Sequence, residues 1–134
     1  PALKVLSALR AGEAVALHGD RIIDARWIWC DFLGQPAAFP TGVFLIAAAA
    51  RVPIVLTFGF KDAALAYRFV AEPPRQIDLP RDNRDAALEE NVRWYASRVE
   101  HYARTYPMQW FNFYDFWAEP EVRSESGSGA DSVD

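Results

Sequence analysis

Apolar and polar positions follow two rhythms along this chain, interrupted by turn chemistry. The most sustained rhythm is helical. Leu88, Val92, Tyr95, Val99, Tyr102 and Tyr106 recur at intervals of four and three, which places them on one stripe of a helix over Asp82–Tyr106. Asp82 or Asp85 is placed to cap its start. Glu89 and Glu90 sit early, where the dipole favours acids, and Pro107 ends the element. A shorter helix is expected over Ala2–Ala11, with Leu3, Val5, Leu6 and Leu9 apolar and Gly12 at the stop. Val43–Ala50 carries no polar residue, so it is expected to be a helix buried on every side.

The second rhythm is that of strands. Ala14–Leu17 is a compact apolar run that ends in the polar turn His18-Gly19-Asp20-Arg21. Trp27–Leu33 puts Trp27, Trp29, Asp31 and Leu33 on one side and Ile28, Cys30 and Phe32 on the other. Val52–Phe60 reads as a central strand covered on both faces. Lys61–Ala64 turns the chain, Leu65–Ala71 returns, and Pro73-Pro74 ends the return. The order of elements predicts an α/β fold, a partly parallel sheet flanked by helices.

Composition narrows the class. The chain has 134 residues, 51% of them hydrophobic and 14% aromatic, enough for one modest domain with a true core. After Ala118 the composition collapses to Ser, Gly, Glu and Asp, so residues 1–117 are expected to be the domain part and 118–134 a disordered acidic tail. The formal charge of −4 argues against a nucleic-acid binder. Cys30 is the single cysteine, which excludes an internal disulfide and a thiolate zinc cluster. No metal site and no cofactor are expected. The apolar region Val43–Phe60 is broken by Arg51, Pro53 and Gly59, so it is not a bilayer span. The chain starts at Pro1 without a methionine, and an N-terminal half is expected to precede it.

The candidate chemistry gathers at two turns. The run Phe32–Gly42 is rich in Gly and Pro and leads into the apolar helix. Helix-start amides lack partners and carry partial positive charge, so Phe39, Pro40, Thr41 and Gly42 form a candidate anion site, with Thr41 as cap and Gly42 opening the backbone. The same residues equally describe a plain helix-start turn. At the other turn, Arg21 is suited to grip a phosphate or carboxylate and Asp20 to orient it; the alternative is an ion pair closing the turn. The aromatic run Trp110–Trp117 has three readings: a base-stacking platform, a membrane-interface segment, or a core plug.

His18-Gly-Asp20-Arg21, Phe32-Leu-Gly34-Gln-Pro36-Ala-Ala-Phe39-Pro40-Thr-Gly42, Val52-Pro53-Ile-Val55 and Pro107-Met-Gln-Trp110-Phe-Asn-Phe-Tyr114-Asp115-Phe-Trp117 occur in that order. Together they resemble the C-terminal half of the lysophospholipid acyltransferase superfamily, in the branch of the late acyltransferases of lipid A biosynthesis. The likeness covers about residues 2–117. It implies the C-terminal half of a glycerolipid-acyltransferase-like fold. It also implies transfer of an acyl chain from a thioester, on acyl carrier protein or coenzyme A, to a hydroxyl of a lipid or glycolipid.

By the same resemblance, Phe39, Pro40, Thr41 and Gly42 hold the polar head of the acceptor, and Gly19, Asp20 and Arg21 form a site wall. It further implies peripheral contact with the cytoplasmic face of a bacterial inner membrane. The superfamily base is a His held by an Asp in a His-x-x-x-x-Asp motif. Here the fifth residue after His18 is Ile23, Asp24 falls one position too far, and His101 has no acid at the right place. The catalytic pair is therefore expected upstream of Pro1. The chain by itself is expected to be inactive and to self-associate where a neighbour would pack.

Overall fold

The computed structural model describes residues 2–19, 26–109, 116–118 and 120. Its elements run α1 (Ala2–Arg10), β1 (Trp27–Phe32), β2 (Gln35–Pro40), α2 (Gly42–Ala50), β3 (Thr57–Ala63), β4 (Ala66–Ala71) and α3 (Arg84–Thr105), then a 3-10 turn over Pro107–Gln109. Helices and strands mix as expected, but the sheet is not partly parallel. Among the described residues there are two separate two-stranded ribbons, β1–β2 and β3–β4, and both are antiparallel.

The first ribbon takes in most of the Gly/Pro-rich run Phe32–Gly42, which was not expected to hold a strand. Only Leu33 and Gly34 turn, with φ of 51° and 87°. Positive φ at both central residues is what a two-residue hairpin needs to match strand twist. Phe32 and Gln35 close the turn, and Pro36 and Pro40 pair with Asp31 and Trp27. Because the closing pair is hydrogen-bonded, both prolines fall at the alternate, unbonded positions, where the ring nitrogen faces the outer edge and no ladder bond is lost.

The second ribbon corrects the expected strand over Val52–Phe60. Pro53, Pro73 and Pro74 remove donors, so before Thr57 only the reciprocal bonds of Ile54 with Arg75 and the bond from the Glu72 amide to the Leu56 carbonyl remain. The strand proper is Thr57–Ala63. It continues through Lys61 with an irregularity between Lys61 and Ala63, and the turn is at Ala64-Leu65. The expected strand over Ala14–Leu17 is not formed among the described residues.

The core lies between β1–β2, α2 and α3. Phe32, Phe39, Ile77 and Val92 are its most deeply buried large side chains. Phe39 meets Phe32, Tyr95 and Phe116 edge-on at centroid distances of 5.5, 6.0 and 5.6 Å. The predicted two-sided split of β1 holds: Cys30 and Phe32 are buried, while Trp29 and Asp31 are exposed. α3 starts at Arg84 with Asn83 in the cap position, and no side chain caps it. Its predicted stripe does face inward: Val92 and Tyr95 are buried, and Leu88 and Val99 pack on the cluster.

Of the aromatic run, residues 110–115 lie outside the described residues. Phe116 is a core plug, and Trp117 donates its indole N–H to the Phe32 carbonyl at 3.1 Å. Beyond Ala118 and Pro120, the expected tail also lies outside the described residues. No described helix is long and apolar enough to cross a membrane.

Candidate functional site

β2 delivers the chain into α2, and that junction is the centre of the candidate site. Phe39 and Pro40 end the strand and are both buried. Phe39 is wholly engaged in the aromatic core, so its contribution is to fix the junction rather than to touch a ligand. Thr41 occupies the cap position as expected, but its side chain makes no capping bond. Its hydroxyl oxygen is instead buried without a partner, the residue being 3% exposed. Buried hydroxyls are almost always bonded.

The Thr41 carbonyl takes the amides of both Phe44 and Leu45, at 3.1 and 3.2 Å. The amides of Gly42 and Val43 have no acceptor among the described residues. They are open donors of the helix start, as the sequence argument requires. Gly42 has ordinary helical φ. Its lack of a side chain, rather than backbone freedom, is what it brings to this turn.

Thr41 borders a cleft of about 480 Å³ that also takes in Arg26, Trp27, Leu45, Asp85 and Glu89. Three of these were not singled out from sequence. Arg26 directly precedes β1 and carries no motif; Asp85 reads as a capping acid and Glu89 as an acid placed for the helix dipole. In the fold the first turns of α3 bring both acids to the cleft wall. The cleft therefore combines a guanidinium and two carboxylates beside Thr41. That mixture suits a head group bearing an anion together with hydroxyls, since carboxylates accept from hydroxyls and repel a bare anion. Asp20 and Arg21 lie outside the described residues.

A second, larger cavity of about 610 Å³ lies on the other side of α2. α1, the segment Ala14–Gly19, α2 and Val52–Phe58 wall it, with Tyr95 and Val99 of α3 at its base. Its lining side chains are mostly apolar, with His18, Thr57 and the Tyr95 hydroxyl as polar exceptions. This cavity corrects the expectation that α2 is buried all round. Only Phe44 and Ala47 of α2 are buried, while Val43 and Ile46 face the cavity.

The remaining polar groups read as structure. Glu72 accepts from Arg98 at 2.7 Å and from the Tyr102 hydroxyl at 3.1 Å. These bonds, the Arg98 bond foremost, hold its carboxyl below the usual carboxylate range. Arg98 thus pairs with Glu72 and not with the acids of its own helix. Arg93 and Arg104 pair within the helix, with Glu89 and Glu100. Cys30 is buried, and burial pushes its thiol up, so it holds little nucleophilic thiolate. No cluster that would hold a metal ion occurs among the described residues.

A family model described as bacterial lipid A biosynthesis acyltransferase matches residues 3–119, and the chain belongs to that family. No curated protein and no solved structure matches it. Membership supports an acyltransferase-type function, with an acyl donor and a lipid acceptor in general terms.

Proposed function

We propose that this chain supplies the acceptor-binding and structural part of an acyltransferase that moves an acyl chain from a thioester, on carrier protein or coenzyme A, to a hydroxyl of a lipid or glycolipid. The observation that carries this reading is the Thr41 hydroxyl, buried and unpartnered beside the open amides of Gly42 and Val43. A polar atom left so costs about 1–3 kcal/mol; the oxygen is closed off in this conformation, so a ligand oxygen recovers that cost only as the junction opens to admit it. On this reading Thr41 and Gly42 take the anionic group of the acceptor, Arg26 adds charge, and Asp85 and Glu89 accept from its hydroxyls. Phe39 and Pro40 hold the junction in place. Asp20 and Arg21 complete the wall, as the family resemblance implies. The apolar cavity beside α2 takes the alkyl chain.

The catalytic His and Asp are not part of this chain, because neither His18 nor His101 has the required acid. The chain alone then binds but does not turn over, and it acts at the cytoplasmic face of a bacterial inner membrane through peripheral contact. A second reading, a lipid- or carrier-binding module without catalysis, is favoured by that same missing motif.

The test is a titration of the chain with inorganic phosphate followed by amide NMR, together with acyl-transfer assays. The Gly42 and Val43 amides should shift on titration, and in the complete enzyme Arg21→Ala should raise KM for the acceptor. Silent amides together with unchanged kinetics would remove the site. Turnover by the isolated chain would defeat the division of labour.

A further inference from the structure

The β3–β4 ribbon uses only one of its faces inside the protein. On that face Phe58 stacks on Tyr102 and Phe60 on Tyr106, each at 4.0 Å between ring centroids. The register places the pairs Gly59–Phe69 and Lys61–Tyr67 on the opposite face. There the Phe69 ring lies over Gly59, so close that a Cβ on that glycine would sit 3.1 Å from it. Among the described residues nothing covers the ring from outside: Phe69 is 81% exposed, Tyr67 67%, and Leu65 in the turn 96%. Met108, 86% exposed, sits on the 3-10 turn next to this ribbon.

We propose that this outward face is a membrane contact, which seats Leu65, Tyr67 and Phe69 in the boundary between head groups and acyl chains of an anionic bilayer. It gives a surface to the peripheral contact proposed above and rests on that part of the reading.

Three observations choose the bilayer over a protein partner. The first is charge. Lys61 is the ionisable group that shares this face with Tyr67, while Asp62 is neutralised by Arg68 at 3.2 Å. A chain of net charge −4 thus presents a cation among aromatics on this face. The second is size. A stable dimer buries about 800 Å² and roughly 20–30 residues a side, whereas this face spans only alternate residues between Thr57 and Ala71. The third is the edge. The Gln109 carboxamide accepts from the Lys61 amide and donates to the Lys61 carbonyl, both at 2.7 Å. That clasp closes the β3 edge to strand addition at Lys61 and leaves the ribbon its face to offer. Tyr and Lys suit such a boundary because each has an apolar body and a polar tip.

The experiment is cosedimentation of the full chain with phosphatidylcholine vesicles, with and without phosphatidylglycerol. The chain should pellet with the anionic vesicles. Leu65→Ser should lower the partition coefficient about tenfold, and Lys61→Gln should weaken binding at low salt only. Both side chains are on the surface, so far-ultraviolet circular dichroism should be unchanged; Tyr67→Ser serves as a second variant should either fail to fold. Binding that survives both Leu65→Ser and Tyr67→Ser removes this surface while leaving membrane contact through another. Failure of the unmodified chain to bind removes both. A dimer in the absence of vesicles that Leu65→Ser dissociates makes the face a protein interface and overturns the proposal.

Discussion

Replacing Thr41 with Val tests the site without any knowledge of the ligand. The substitution exchanges the orphaned hydroxyl for a methyl group of nearly the same shape and keeps the β-branch. Threonine at a helix cap is normally worth about 1 kcal/mol through its bond to the backbone. Here that bond is absent, so the usual loss does not apply. What changes instead is the desolvation of an oxygen buried without a partner, which costs about 1–3 kcal/mol.

Thr41→Val should therefore stabilise the unliganded protein by about 1–2 kcal/mol, seen as a rise in Tm of about 4 °C or more. The same change should weaken phosphate binding by roughly tenfold to a hundredfold, because a bond to a charged group is worth about 1.5–3 kcal/mol. Urea denaturation and calorimetry measure the first effect, and amide titration with inorganic phosphate the second. Opposite signs for stability and affinity are the signature of a group held ready for a ligand. A loss of stability of about 1 kcal/mol or more would show that the hydroxyl already has a partner, and the reasoning would fail.

Two further predictions concern the frame of the site. The carboxyl of Glu72 is held below its usual range by Arg98 and Tyr102, so its stabilisation is present above the unfolded value of about 4.3 and is lost as pH falls through the lowered folded value. Glu72→Gln should cost on the order of 2 kcal/mol at neutral pH, and urea midpoints of the two proteins should converge in acid; a gap independent of pH would refute this. Gln109→Ala should remove both bonds to Lys61, costing about 1 kcal/mol and speeding hydrogen exchange at the Lys61 amide, whereas unchanged exchange would mean the clasp is not formed in solution.

Much of the fold was legible in the residues themselves. Periodicity located α3 within about two residues, because a stripe repeated six times leaves little choice of phase. β1 and its buried side followed from strict alternation. Gly12, with φ of 84°, marked the end of α1. Other features were disguised. Leu33 takes a positive φ that favours Asn or Gly, and its amide is held by the Glu100 carboxylate from far along the chain. The hairpin therefore carried no local signal, and the prolines of β2 spoke against a strand. The extra tie on Leu33 is a tertiary bond that no neighbour in sequence announces.

At the site, the sequence by itself determined the helix start: a Thr and a Gly ahead of an apolar run dictate open amides wherever the chain folds, since the first turn of any helix lacks acceptors. The ordered motifs also determined the family. Tertiary structure alone decided that the Thr41 hydroxyl is stranded rather than capping, because that depends on the core closing over it. It alone decided that Arg26, Asp85 and Glu89 share its cleft, because residues some sixty positions apart meet only when α3 packs across the β1–β2 ribbon. Local physics sets which groups lack partners, and packing sets which of them are left together.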